Sequence, residues 1–509
     1  MKHSARFKEY VWEKCIAPQL GYSFNLAHGV AYSLIGLQEV NLATQYNPLY
    51  WACANLCVAA GLSQTQITDD DMEDEDLPQE EVEQEEEEDS VASSDPQKKK
   101  KNIAPNYVKI ATAIAQAQAQ GVEIVVPNIN TSERDFTPDV EHNAILYGLG
   151  AVVGVNEDFY NKIIENRPYH KVSEFIQKVE PTKTQMVNLI KAGCFDSLMT
   201  CDRKTIMNTY LYFLATEKIK KKEKMTITQL KNSLDMGIDF GKEWEFQIFL
   251  YKYKAYIDKN QYDAPNKRYL LDDDDCKRYF TRLIEFRLQS KDVFHLPDDV
   301  IAVKKSAFSR LYNEEKQKII DYMNTEEFKD TFYKAQLYQE IEALSKKYAQ
   351  GSIAAWEMET LSYYHEPHEL IGINKDIYNV VDFSDLPESP DSYTEGTGCV
   401  LGTVIGFENG KHLVYLLTTK EVVTVKFFGN NYVKYNKRIS ELVPNGTKKP
   451  VKVVIDESWF KRGTKLLIYG QRRENMFLAR RGGRDYPMVC LVEEIKPNGR
   501  LVLRSRRKE

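Results

Sequence analysis

Apolar positions along the chain follow two different rhythms. Up to about residue 390 they recur mostly at three- and four-residue spacing, the period of helices that turn one face to a core. Phe159, Ile163 and Ile164 form such a stripe, with Asn161, Lys162 and Glu165 on the other side, and the turn Val153-Gly154-Val155-Asn156 precedes them. Asn106 to Gln120 reads as a helix stopped by Gly121, followed by a short β-rich run from Val122 to Val126. After about residue 396 the apolar residues gather instead into short runs, several separated by Gly and Asn turns: Val400–Ile405, Leu413–Leu417, Val422–Phe428, Lys465–Gly470 and Met488–Val492. The pattern predicts an α+β multidomain chain. Its N-terminal two-thirds is mostly helical with helix-hairpin-helix motifs, and its C-terminal domain is an all-β OB-fold of about five strands.

Composition changes this picture in one place. The formal charge is -7, but residues 69–101 hold 16 acidic residues and four lysines, so the remainder carries +5. This low-complexity block cannot bury enough apolar surface to fold, and it is expected to be a disordered tether. A weakly basic body with an acidic insertion fits a nucleic-acid binder. The eight cysteines include no Cys-x-x-Cys pair, and Cys53 and Cys57 read as buried thiols on a helix. No run of about 18 apolar residues occurs, so no membrane partner and a cytoplasmic location are expected. The expected domains are 1–68, the acidic insertion 69–105, the hairpin region 106–200, a charged helical region 201–390 and the barrel 396–509.

Two stretches carry candidate chemistry. A tight turn at Gly154, Val155 and Asn156 would aim backbone N–H groups at a phosphate from a helix N-terminus, with Asn156 tolerating a left-handed backbone. The turn alone fits an ordinary αα-hairpin equally well. In the barrel, Lys461-Arg462, Arg472-Arg473, Arg480-Arg481, Arg484 and the run from Arg504 to Lys508 lie among or near Phe428, Tyr432, Trp459, Phe460 and Phe477. Rings that stack bases beside cations that follow the backbone make a single-strand binding surface; a structural barrel with a basic rim is the alternative. The candidate DNA-binding residues are Gly148, Gly150, Gly154, Val155, Asn156, Lys162, Lys426, Phe428, Arg472, Arg473, Arg480 and Arg481. Asp272 to Asp275 reads as a helix start, and His365 and His368, with Pro367 between them, read as structural; no metal site is expected.

Several motifs resemble the bacterial replicative DNA polymerase III alpha subunit (family C). Tyr147-Gly148-Leu149, Ala151, Gly154-Val155 and Glu157, then Leu189-Ile190, Ala192-Gly193, Phe195-Asp196 and Leu198, are similar to the region after that family's fingers domain. Pro127 to Asn130 and Asp135-Phe136 resemble a motif just upstream. Asn25, His28, Ala31, Tyr32, Leu34 and Ile35 resemble the motif that ends the fingers, and Leu26-Ala27 stands where the family has Lys-Ser. The resemblance implies a nucleotide pocket that includes Asn25, His28 and Tyr32; simple packing of the fingers is the alternative for the last two. Trp356 to Leu370 resembles the segment before the family's OB domain.

Polymerases hold two metal ions on palm carboxylates. The family's alternating-aspartate run is absent: Pro138-Asp139 and Pro297-Asp298-Asp299 do not reproduce it. The resemblance therefore implies the C-terminal subunit of a split, phage-type DNA-directed DNA polymerase, with no catalytic residue and no cofactor in this chain. Mg2+ is expected in the palm of an N-terminal partner chain, and DNA, duplex and single-stranded, is the other expected partner. A sliding clamp is a further candidate partner, although Gln247 to Tyr251, the nearest match to a clamp-binding peptide, reads as a packed helix. A non-catalytic DNA-binding or scaffold protein of the same fold is the alternative.

Overall fold

A computed structural model describes residues 8, 10–12, 26–61, 105–199, 201–260, 262–271, 280, 287–388, 390, 396–443, 451–481 and 487–506. The acidic block, Asn25 and Asp272 to Asp275 lie outside them, as does the side chain of His28. The chain divides into two compact units: residues 1–203 with 351–509, and residues 204–350.

The first unit opens with α1 (Leu26–Gln45) and α2 (Pro48–Ala60), the latter capped by Asn47, whose side chain accepts from the Leu49 N–H. Leu49, Cys53, Leu56 and Ala60 form the buried stripe of α2, and both Cys53 and Cys57 donate to the Phe136 carbonyl. Next come α3 (Tyr107–Ala119) and a three-stranded sheet of β1 (Glu123–Val125), β2 (Thr137–Asp139) and β3 (Ala144–Leu146), with β3 central. Three short helices follow: α4 (Glu157–Glu165), α5 (Val172–Val179) and α6 (Lys183–Lys191).

The second unit begins along α7 (Arg203–Lys218) and continues through α8 (Ile227–Asp235) and α9 (Glu245–Asn260). It then forms a four-stranded antiparallel sheet from β4 (Tyr262–Asp263), β5 (Arg268–Leu271), β6 (Val293–Leu296) and β7 (Val300–Lys304), in the order β4-β5-β7-β6. Helices α10 (Lys305–Met323) and α11 (Glu326–Tyr348) complete it. The reading of 201–390 as a helical region thus missed this small sheet. Strands of two to five residues in charged surroundings leave too little alternation to stand out. Gln247 to Tyr251 does lie within α9, where Leu250 is buried and Gln247 donates to Glu315.

The chain returns to the first unit with α12 (Ile353–Leu361), capped by Ser352, and enters the β domain. Strands β8 (Thr397–Glu408), β9 (Leu413–Leu417) and β10 (Val422–Lys426) form an antiparallel meander. Helix α13 (Asn430–Asn436) and the hairpin of β11 (Ile439–Val443) and β12 (Val451–Asp456) precede β13 (Lys465–Arg473) and β14 (Met476–Ala479). Strand β13 pairs with β8, and β14 pairs with both β13 and, in parallel, β10. The five strands β8, β9, β10, β14 and β13 therefore close on themselves, an OB-like barrel. Strands β15 (Val489–Ile495) and β16 (Leu501–Ser505) extend the sheet outside that circuit. The run Met488–Val492 is consequently not the fifth barrel strand; the short Met476–Ala479 is.

Closure explains why Tyr432, Trp459, Phe460 and Phe477 are buried with Val404, Val425 and Phe427. These four rings fill the barrel and its cap and cannot stack bases from that position. Helix α3 joins the barrel to the hairpin region: Ala111 packs with Ala354 and Met358 of α12 and with Ile405 and Leu417 of the barrel.

Within this unit one ion network crosses between elements distant in sequence. Arg203 donates to Asp196 (2.8 Å), to the Lys191 carbonyl and to Glu357 (2.7 Å). The second oxygen of Glu357, a residue with 0% exposure, accepts the N–H groups of His365 and Glu366 (2.9 and 2.8 Å). Truncation to Glu357→Ala leaves a buried guanidinium without one of its two carboxylate partners and is expected to cost about 3–5 kcal/mol. Urea unfolding checks this, and the double change Arg203→Met with Glu357→Met should recover part of the loss.

His368 supplies a pH prediction. Its Nδ1 accepts from the Leu370 N–H (3.1 Å), so Nε2 carries the proton toward the Leu417 carbonyl (3.3 Å). Burial pulls its pKa down from 6.5 to about 4. The unfolded chain takes up a proton at this residue below about pH 6.5 and the native chain does not, so acidification toward pH 4 removes up to roughly 3 kcal/mol. Thermal melts across that window should lose part of this slope in His368→Gln.

Candidate nucleic-acid interface

The hairpin region is built on backbone contacts that its motif residues make possible. Gly148 is buried, and a Cβ there would lie 2.5 Å from the Arg134 carbonyl oxygen. That absence of a side chain lets Leu149 and Gly150 N–H reach the Glu133 and Arg134 carbonyls (2.8 and 3.0 Å). Asn130 pairs its side-chain amide with both backbone groups of Tyr169, at 2.8 Å each, and Arg167 donates to the carbonyls of Ile129 and Ser132. Tyr147 stacks on Tyr363 and donates to the Leu361 carbonyl (2.9 Å). Gly148 and Gly150 thus lie in the interior, as packing positions.

The turn that leads into α4 lies at the surface. Gly154 has φ +85°, and the Asn188 side chain, which donates to the Val153 carbonyl (2.9 Å), sits against it. Asn156 is extended (φ -92°, ψ 175°), not left-handed: it is the N-cap of α4, and its side chain accepts from the Phe159 N–H. The Val155 N–H is already bonded to the Val152 carbonyl. Glu157 and Asp158 occupy the first turn of α4, and Glu157 pairs with Arg134 at 3.6 Å. Two carboxylates there offset the positive end of the helix, which weakens the turn as an anion site. Lys162 is exposed in the last turn of the same helix. The second hairpin, between α5 and α6, has a Thr182–Gln185 capping box, no acid in its first turn and an exposed Lys183. Its signal in the sequence was Thr-x-x-Gln ahead of an apolar run.

In the barrel the candidates separate by position. Phe427 is buried, whereas Phe428, just past the end of β10, is 55% exposed. The parallel register Lys426↔Leu478 carries Phe428 and Arg480 toward the same end of β10 and β14. Lys426 and Phe428 thus stand at the end of β10 that neighbours the end of β14, where Arg480 and the exposed Arg481 follow, and Lys426 donates to the Lys411 carbonyl. Arg473 lies at the other end of β14, opposite Met476. Arg472 is enclosed: it lies over the Phe383 ring at 4.5 Å and donates to the carbonyls of Leu386 and Glu474 and to the Glu388 carboxylate. Its charge holds the segment 383–388 that precedes the barrel.

Tyr32 projects from α1 and is exposed. Among the described residues no group of three or more His, Cys, Asp or Glu is placed to hold a metal ion, and no helix is long and apolar enough to cross a membrane. The geometry offers a surface for a nucleic acid, with cations, an exposed ring and capped hairpins.

Comparison with known proteins agrees with this reading. A helix-hairpin-helix motif family matches residues 121–206. The probable DNA polymerase YorL of Bacillus subtilis and the DNA-directed DNA polymerase of Bacillus phage SPbeta are each 32% identical over 98% of this chain. The DNA polymerase III subunit alpha of Borreliella burgdorferi is 25% identical over 46% of this chain and 17% of its own length. The chain spans about a third (36%) of the two Bacillus relatives. The chain is thus similar to DNA polymerases along nearly its whole length, and this likeness is consistent with the C-terminal portion of the DNA polymerase III alpha subunit that its motifs resemble.

Proposed function

We propose that the chain is the DNA-holding part of a split DNA-directed DNA polymerase. It acts with a partner chain that carries the metal-binding carboxylates. The observation that supports this best is the likeness to polymerases along 98% of its length, joined to a helix-hairpin-helix region and a closed OB-like barrel and lacking the aspartate run. The reaction would be template-directed addition of deoxynucleotides to a 3′ end. Mg2+ would bind the partner, and this chain would supply hairpins for the duplex and the barrel for the single strand. Asn25, His28 and Tyr32 would border the nucleotide.

The isolated chain should not extend a primer with Mg2+ and all four nucleotides. Extension that persists after every other polymerase chain is removed would overturn the reading.

Single-strand binding tests the barrel. Arg480→Ala with Arg481→Ala should lower affinity and flatten the salt slope by up to about two units. Phe428→Ala should lower affinity at unchanged slope and unchanged melting temperature, since its ring is exposed. Arg472→Ala should instead lower the melting temperature, because its partners are Phe383, Leu386, Glu388 and Glu474 of the same unit. Salt titrations and thermal melts of the whole chain distinguish the three.

A further inference from the structure

Helix α1 is apolar on two sides. By helical spacing Val30, Leu34 and Leu37 form one stripe and Tyr32, Ile35 and Leu42 the other, and all six are exposed, Leu37 at 65%. Its one acidic residue is Glu39, and it has no lysine or arginine. Tyr50, Trp51 and Val58 of α2 add further exposed apolar surface. A helix of this kind is normally buried on both sides.

We propose that α1 is a docking element inserted into the catalytic part of the polymerase, a folded polypeptide with an apolar groove; this rests on the split-polymerase reading above. Three observations select that occupant. The absence of basic residues along α1 leaves nothing to hold a nucleic-acid backbone. A two-fold contact between copies would lay one stripe of α1 against its mate and leave the other stripe in water. A groove with two walls covers both. And the Bacillus relatives, which share 98% of this chain, carry most of their length outside the shared region, so in them further polymerase sequence accompanies this helix.

The probe is the Bacillus phage SPbeta polymerase from which the region matched here has been removed. The whole chain should form a complex with it in size-exclusion chromatography and titration. Leu34→Glu with Leu37→Glu, and separately Ile35→Glu with Leu42→Glu, should each weaken the complex by about tenfold or more, as expected for changes at the centre of an interface. Both variants should keep the parent's melting temperature and DNA affinity, because the substituted side chains are exposed. Unchanged binding by both variants, or no complex with the parent chain, overturns the assignment. Self-association of the parent that the variants abolish makes a second copy the occupant and overturns it as well. A complex that requires α1 but extends no primer leaves the docking element standing and removes the polymerase reading instead.

Discussion

A single buried guanidinium holds the ends of the hairpin region together. Arg203 ties the last turn of α6, through the Lys191 carbonyl, to Asp196 and to Glu357 on α12. Between Arg203 and α12 the chain departs to build the whole second unit. Closure of so long an excursion carries an entropic cost, and a charge pair out of water is favourable only when both partners are present and fully hydrogen-bonded. Glu357 meets that condition, with Arg203 on one oxygen and two backbone N–H groups on the other. Burial alone would disfavour the Arg203 cation, yet its pKa is raised, because Asp196 and Glu357 outweigh that effect. Gly193 completes the arrangement: a Cβ there would meet the Arg203 guanidinium at 2.6 Å, and its φ is +83°. The Ala-Gly-x-Phe-Asp motif is therefore a seat for this arginine.

With that seat in place, α12 and α3 align the hairpin region with the barrel through Ala111, Ala354, Met358, Ile405 and Leu417. The barrel then presents Lys426, Phe428, Arg480 and Arg481 from two parallel neighbours, strands far apart in sequence. Thus the hairpins and the single-strand candidates share one compact unit.

Much of this was legible in the sequence because it rests on local rules. The helices 107–119 and 157–165 and the early barrel strands follow from apolar period and stop signals, whereas Asn156, read as a left-handed turn residue, is an N-cap. What was not legible depends on partners distant in sequence. Arg472 looked like a member of a basic pair, yet apart from the Glu474 carbonyl its partners lie more than 80 residues away. Trp459, Phe460 and Phe477 looked like stacking rings, yet closure turns them inward. Gly148 read as a DNA-binding residue, yet it is buried in a close approach to Arg134. The sheet of the second unit escaped because its strands are too short to show a period.

Hydrogen exchange on the whole chain, with and without a primed DNA template, locates the DNA on this chain. DNA held by the first unit predicts slowed exchange around 426–429 and 478–481 and in the hairpin turns near 153–157 and 180–184. Slowed exchange confined to residues 204–350, or no change anywhere, would contradict it.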